Sequence, residues 1–166
     1  HIPDGVIRIS TEAFPPTWAQ DYSKVTKIIF PHSLKCIPES LCSGWKYLKE
    51  VVIPEGVTTI SSFAFHNTAI KEIVIPSTVE RIGTCVFSLC YELKKISLYH
   101  VSTAILNRLM CREYSSVSEW AVRNEHKKPT LKFEIYIGDN QNLELSRFFK
   151  YCDLEDEKTK FTLKDW

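Results

Sequence analysis

One segment recurs along this chain, and the repeat constrains the fold more than any other feature. Leu48-Lys-Glu-Val-Val-Ile-Pro-Glu-Gly-Val-Thr-Thr-Ile60 and Ile70-Lys-Glu-Ile-Val-Ile-Pro-Ser-Thr-Val-Glu-Arg-Ile82 are nearly the same sequence. Val25-Thr-Lys-Ile-Ile-Phe-Pro-His-Ser-Leu-Lys-Cys-Ile37 matches them closely, and Ile2-Pro-Asp-Gly-Val-Ile-Arg-Ile9 is the same unit without its strand. Leu93-Lys-Lys-Ile-Ser-Leu98 begins another. Anchored on the residue before the proline or its equivalent, the units fall at Ile2, Phe30, Ile53, Ile75 and Leu98, in steps of 28, 23, 22 and 23 residues. A period of this length marks repeats that stack and bury a shared core, a solenoid.

Each unit has a physical logic. Val51 and Ile53 alternate with polar or exposed neighbours, the period of a half-buried strand. Pro54 lacks an N–H and ends the ladder. Glu55-Gly56 turns the chain, and Val57 with Ile60 forms a second short apolar edge. Phe63-Ala64-Phe65 then plugs the coil. The equivalent plug positions are Phe14, Cys42, Phe65 and Phe87, which makes Cys42 a core thiol.

The pattern of Ile-Pro after the strand, Val-x-x-Ile next and Ala-Phe-x-x-Cys before the following leucine resembles the BspA-like leucine-rich repeat family. Ile82-Gly-Thr-Cys-Val-Phe87-Ser-Leu-Cys90-Tyr-Glu-Leu93 is the best match, with Cys90 at the family's cysteine position. Trp45 and Thr68 occupy that position in the neighbouring units. The resemblance spans Ile2 to about Leu98. It implies an α/β leucine-rich-repeat right-handed solenoid, strand-rich, with stacked parallel strands and a partly helical C-terminal capping region. It also implies a non-enzymatic module of a cell-surface or secreted bacterial or protist protein with an adhesive or recognition role. A structural spacer or an intracellular scaffold is the alternative, since repeat scaffolds carry many different ligands.

Residues 1–98 are expected to be the repeat array and 99–166 a degenerate continuation of the same domain. Lys132-Phe133-Glu134-Ile135-Tyr136-Ile137-Gly138 and Lys158-x-x-Phe161-Thr-Leu163 restore the strand pattern. Anchored on Ile137 and Leu163, they lie 39 and then 26 residues further on. Between them and Leu98, the residues Val101, Ala104, Ile105 and Leu109 share one helical face. Ser116-x-x-Glu119 is a capping box before Trp120, and Pro129 bounds the far end. This helical insertion either caps the last apolar coil or docks a partner. Residues 142–152 suit a further short helix.

Several function classes are excluded or left without support. The 166 residues carry 21 Lys+Arg against 20 Asp+Glu, a net charge of +1, with the signs interspersed, so no nucleic-acid partner is expected. No apolar run reaches the length of a membrane span, so no membrane insertion is expected within this segment. There is no nucleophile elbow, zincin motif, phosphate loop or calcium loop, so no catalytic residue, metal or cofactor is assigned. An enzyme site within 98–166, using His100 or His126, is the remaining catalytic alternative. His66 reads as a solvated turn residue. The six cysteines, at 36, 42, 85, 90, 111 and 152, form no CxxC pair. Scattered thiols and a disulfide such as Cys85–Cys90 both remain open. The one methionine is Met110, so His1 is not expected to be a natural start.

A protein partner is the expected ligand, and two surfaces suit it. Stacked strands place equivalent residues about 4.8 Å apart in rows. One row holds Thr26, Lys49, Lys71 and Lys94, and the next holds Lys27, Glu50, Glu72 and Lys95. The third holds Ile29, Val52, Val74 and Ser97, facing outward as an apolar strip bordered by mixed charge. The bland account is that β-branched residues suit strands and charged neighbours solvate them. The longer first unit, with Trp18 and Tyr22 on a proline-bounded loop, is the other candidate contact. It could equally pack back on the coil.

Overall fold

The computed structural model describes residues 2–14, 24–99 and 105, and the backbones of 131–137 and 159–165. Its strands are all parallel and form three ladders. The first joins β1 (Lys27–Ile29) to β3 (Glu50–Val52). The second runs β2 (Cys36–Ile37), β4 (Thr59–Ile60), β6 (Arg81–Ile82). The third runs β5 (Glu72–Ile75), β7 (Lys95–Tyr99), β8 (Leu131–Ile137), β9 (Thr159–Asp165). Up to β7, each strand meets its equivalent one repeat away. Lys27 pairs with Glu50, Thr59 with Arg81 and Glu72 with Lys95.

The alternation of the repeat turns one edge inward. Leu48, Val51 and Ile53 are buried, and so are Ile70, Ile73 and Ile75, then Leu93, Ile96 and Leu98. The proline that ends each strand offers its carbonyl to the turn: Leu34, Val57 and Val79 N–H groups donate to Pro31, Pro54 and Pro76. Each of those three donors is itself buried, so the turn also begins the second apolar edge. Phe65 stacks on Phe87 with ring centres 6.0 Å apart, and the tilted Phe30 ring centre lies 6.3 Å from that of Phe65. Cys42 fills the matching place in its unit and is fully buried. Phe63 does not belong to this plug: it takes a left-handed φ of 57° and stands partly exposed.

A third series of backbone bonds closes each unit. Ser40, Cys42 and Gly44 N–H groups donate to Ser62, Ala64 and His66, and Phe63, Phe65 and Asn67 donate to Thr84, Val86 and Ser88. The chain bends through two left-handed residues per unit to reach these partners: Ser40 and Gly44, Phe63 and Asn67, Cys85 and Leu89.

The strand ladder breaks between β3 and β5 although the two lie side by side. Lys49 N–H donates to Thr26, and Lys94 N–H donates to Lys71, but the equivalent bond from Lys71 to Lys49 is missing. The repeat is one residue shorter at this step. Three steps separate Trp45 from Leu48 and Cys90 from Leu93, enough for a turn in which Leu48 and Leu93 donate to Trp45 and Cys90. Only two separate Thr68 from Ile70, so that turn cannot form.

Two sequence expectations need correction. Ile135, not Ile137, is the residue in register with Leu98 and then with Leu163, and Phe133 meets Ile96. The steps become 37 and 28 residues, because a long insertion leaves the register to be set by strand pairing. Ser97 is not outward: it is 5% exposed, although the equivalent Val74 is open. Apart from Ile105, which is buried, the helical insertion and the short helix at 142–152 lie outside the described residues.

Candidate functional site

Of the residues singled out on the strand rows, Glu50, Val52, Glu72 and Val74 stand outward on β3 and β5, and Lys49, Lys71 and Lys94 are exposed just before the strands. Lys49, Glu50 and Val52 come from the second full unit, Lys71, Glu72 and Val74 from the third, and Lys94 and Lys95 from the fourth. Alternation drives this: with Val51, Ile53, Ile73 and Ile75 buried, the residues between them must face away from the core. Val52 is 39% exposed and Val74 49%, whereas Ile29 is half-buried and Ser97 closed. The outward apolar strip is therefore Val52 and Val74, with Ile29 at its margin.

Charge borders this strip in two distinct rows. In the row beside the valines, Lys27 Nζ donates to Glu50 Oε1 across β1 and β3. Glu72 stands in register with Lys95 across β5 and β7. This row largely neutralises itself. The outer row presents Lys49, Lys71 and Lys94, all exposed, with Thr26 at its start.

Trp18 and Tyr22 lie outside the described residues. His66 is not simply solvated: it is half-buried, with Nδ1 3.3 Å from Ser43 Oγ and its ring edge-on to Phe63 at 5.7 Å. Among the described residues, no group of three or more His, Cys, Asp or Glu side chains converges to hold a metal ion. No helix among them is long and apolar enough to cross a membrane.

Among the described residues Cys36, Cys42 and Cys90 are free thiols; Cys36 and Cys85 are half-buried, Cys42 and Cys90 buried. Desolvation raises the pKa of both buried thiols well above the ordinary value. Cys111 and Cys152 lie outside the described residues.

A device that sequence reading missed joins the turns after the prolines. Gly5 N–H donates to Ser33 Oγ, which donates to the Val6 carbonyl. Gly56 N–H donates to Thr78 Oγ1, which donates to the Val57 carbonyl. Glycine and hydroxyl residues alternate at one repeat position, and each hydroxyl staples its turn to the one before it. Aligning the units on that position, Gly5, Ser33, Gly56 and Thr78, would have revealed the alternation.

Comparison with known proteins agrees with the repeat. The BspA-type leucine-rich repeat region matches residues 9–126 in 6 copies. The chain is similar to a leucine-rich cell surface protein of Faecalibacterium prausnitzii, with 33% identity and a TM-score of 0.45 over 46% of this chain. It is also similar to a leucine-rich repeat protein of Eubacterium ventriosum, with 35% identity and a TM-score of 0.43 over 45% of this chain. The match spans 20% of each of those two chains. No curated protein matches. Taken with the parallel ladders and the repeating core, the match over most of its length makes this chain a member of the BspA-type leucine-rich repeat family.

Proposed function

We propose that this chain is a non-enzymatic recognition module whose strand face binds another protein. The observation that carries the reading is the exposed pair Val52 and Val74, held on neighbouring strands and bordered by charge. Exposed β-branched side chains on a rigid sheet offer an apolar contact whose ordering cost is already met by folding. The reading includes a right-handed solenoid whose residues 99–166 continue and cap the array within the same domain. It places the protein at the cell surface or outside the cell, with an adhesive role. The Faecalibacterium prausnitzii protein, described as a cell surface protein, supports that placement.

The test replaces Val52→Glu together with Val74→Glu and compares proteins cross-linked to the immobilised chain from cells and medium of the producing organism. A protein retained by the wild-type chain and lost with the double variant, at unchanged melting temperature, supports the face. Equal retention by both chains overturns it.

One observation favours a second reading. Cys36, Cys42 and Cys90, free thiols among the described residues, suit a reducing compartment, where the same face would serve an intracellular scaffold.

A further inference from the structure

Successive units are tied together along several lines, and one junction lacks one of them. Between the second and third full units the turns are joined through Thr78, whose Oγ1 accepts from Gly56 N–H and donates to the Val57 carbonyl. The second ladder joins Thr59 to Arg81 and Ile60 to Ile82. The loops are joined by Phe63, Phe65 and Asn67 N–H groups, which donate to Thr84, Val86 and Ser88. On the strand side β3 and β5 share no ladder, whereas β1 pairs with β3 and β5 pairs with β7.

Side chains follow the same division. Lys27 pairs with Glu50 on one side of the junction, and Glu72 stands in register with Lys95 on the other. Among the described residues, no ion pair crosses from β3 to β5. The junction also falls where the repeat is one residue short, at the step from Ile53 to Ile75.

A parallel ladder holds neighbouring strands about 4.8 Å apart. Without one that spacing is not enforced, and the sides that remain tied become an axis for the side that is free. The core limits the amplitude: Val51, Ile53, Ile73 and Ile75 are buried, and a wide opening would bring them to water. We infer that the junction between β3 and β5 is a hinge built into the array. Residues 24–69 and 70–99 form two bodies whose strand sides swing against each other through a small angle, while the second ladder opposite stays closed. Val52 on β3 and Val74 on β5 stand on opposite sides of the hinge, so its angle sets their separation. The hinge exists whether or not that pair meets a partner.

The experiment places pairs of nitroxide labels on the whole chain through a keto amino acid, which spares the six native cysteines. Pulsed dipolar electron paramagnetic resonance in frozen solution then reads the distance distributions, whatever the timescale of the motion. Thr26 with Lys94 spans the junction on the strand side, and Lys35 with Glu80 spans it on the side of the second ladder; all four are exposed. The Thr26–Lys94 distribution is expected to be about twice as broad as that of Lys35–Glu80. Inserting Glu after Thr68, which restores the missing residue, should narrow it to the width of the other pair. A Thr26–Lys94 distribution no broader than that of Lys35–Glu80 overturns the inference, and this comparison needs no altered junction. So does a broad distribution that the insertion leaves unchanged at an unchanged melting temperature, because the motion then lies elsewhere in the array.

Discussion

Thr68 and Cys90, 22 residues apart in sequence, meet in the core with Oγ1 3.2 Å from Sγ, and each lies 3.0 Å from the carbonyl oxygen of Phe65. They hold the same position in successive units, so one carbonyl anchors both. A buried carbonyl that loses a donor costs free energy of the order of a hydrogen bond. Thr68→Val keeps the shape and removes one donor. It should destabilise the fold by about 1 kcal/mol, read as a lower urea midpoint at unchanged slope.

The buried thiols make stability fall at alkaline pH. Folding raises the pKa of Cys42 and Cys90 by desolvation, whereas unfolded thiols ionise near 9.0. The folded state therefore holds its protons longer than the unfolded one. The contribution is complete below that value and is lost as pH rises above it, by at most about 1.4 kcal/mol per pH unit for each thiol. Urea unfolding between pH 7 and pH 10.5 should show this decline. Cys42→Val should make the decline shallower, with Cys90 the buried thiol that remains among the described residues.

Two glycines should respond differently to alanine. At Gly83 a Cβ would lie 2.3 Å from Ser62 N and 2.7 Å from Ser62 Cα, both backbone atoms of the preceding unit. Gly83→Ala must push two units apart and should cost about 3 kcal/mol, the upper end of overpacking. At Gly56 the conflict is conformational: φ is +105° and the nearest backbone atom, His32 O, is 3.1 Å away. Gly56→Ala should cost about 1–2 kcal/mol. Thermal unfolding of both variants checks the order, and Gly56→Ala proving the worse would contradict it.

The broken ladder between β3 and β5 should be repairable. Inserting one Glu after Thr68 restores the three-step spacing seen at Trp45–Leu48 and Cys90–Leu93. The turn can then form, and Lys71 N–H can reach the Lys49 carbonyl as Lys94 N–H reaches Lys71. Hydrogen exchange at the Lys71 amide should slow by tenfold or more relative to the unaltered chain. No change would mean that the missing residue does not cause the break.

Much of this architecture was written in the repeat. A period near 23 residues with fixed apolar positions leaves few choices, because a register slip of one residue turns the apolar edge of a strand to water. Hence the inward edge Leu48, Val51 and Ile53, the core thiol Cys42 and the exposure of Val52 and Val74 could be read before any coordinates. Packing across units settled the rest. Cys85, Leu89 and Phe63 adopt left-handed backbone without being glycine, next to groups bonded between units, and no local signal announces that. Ile135 took the register that Ile137 seemed to claim, since pairing with β7 and β9 binds the whole strand at once. Ser97 is buried and Val74 exposed at equivalent positions, so exposure depends on what surrounds each copy and not on the repeat. Periodicity fixes which side chains face together; the neighbours in space fix which of them water can still reach.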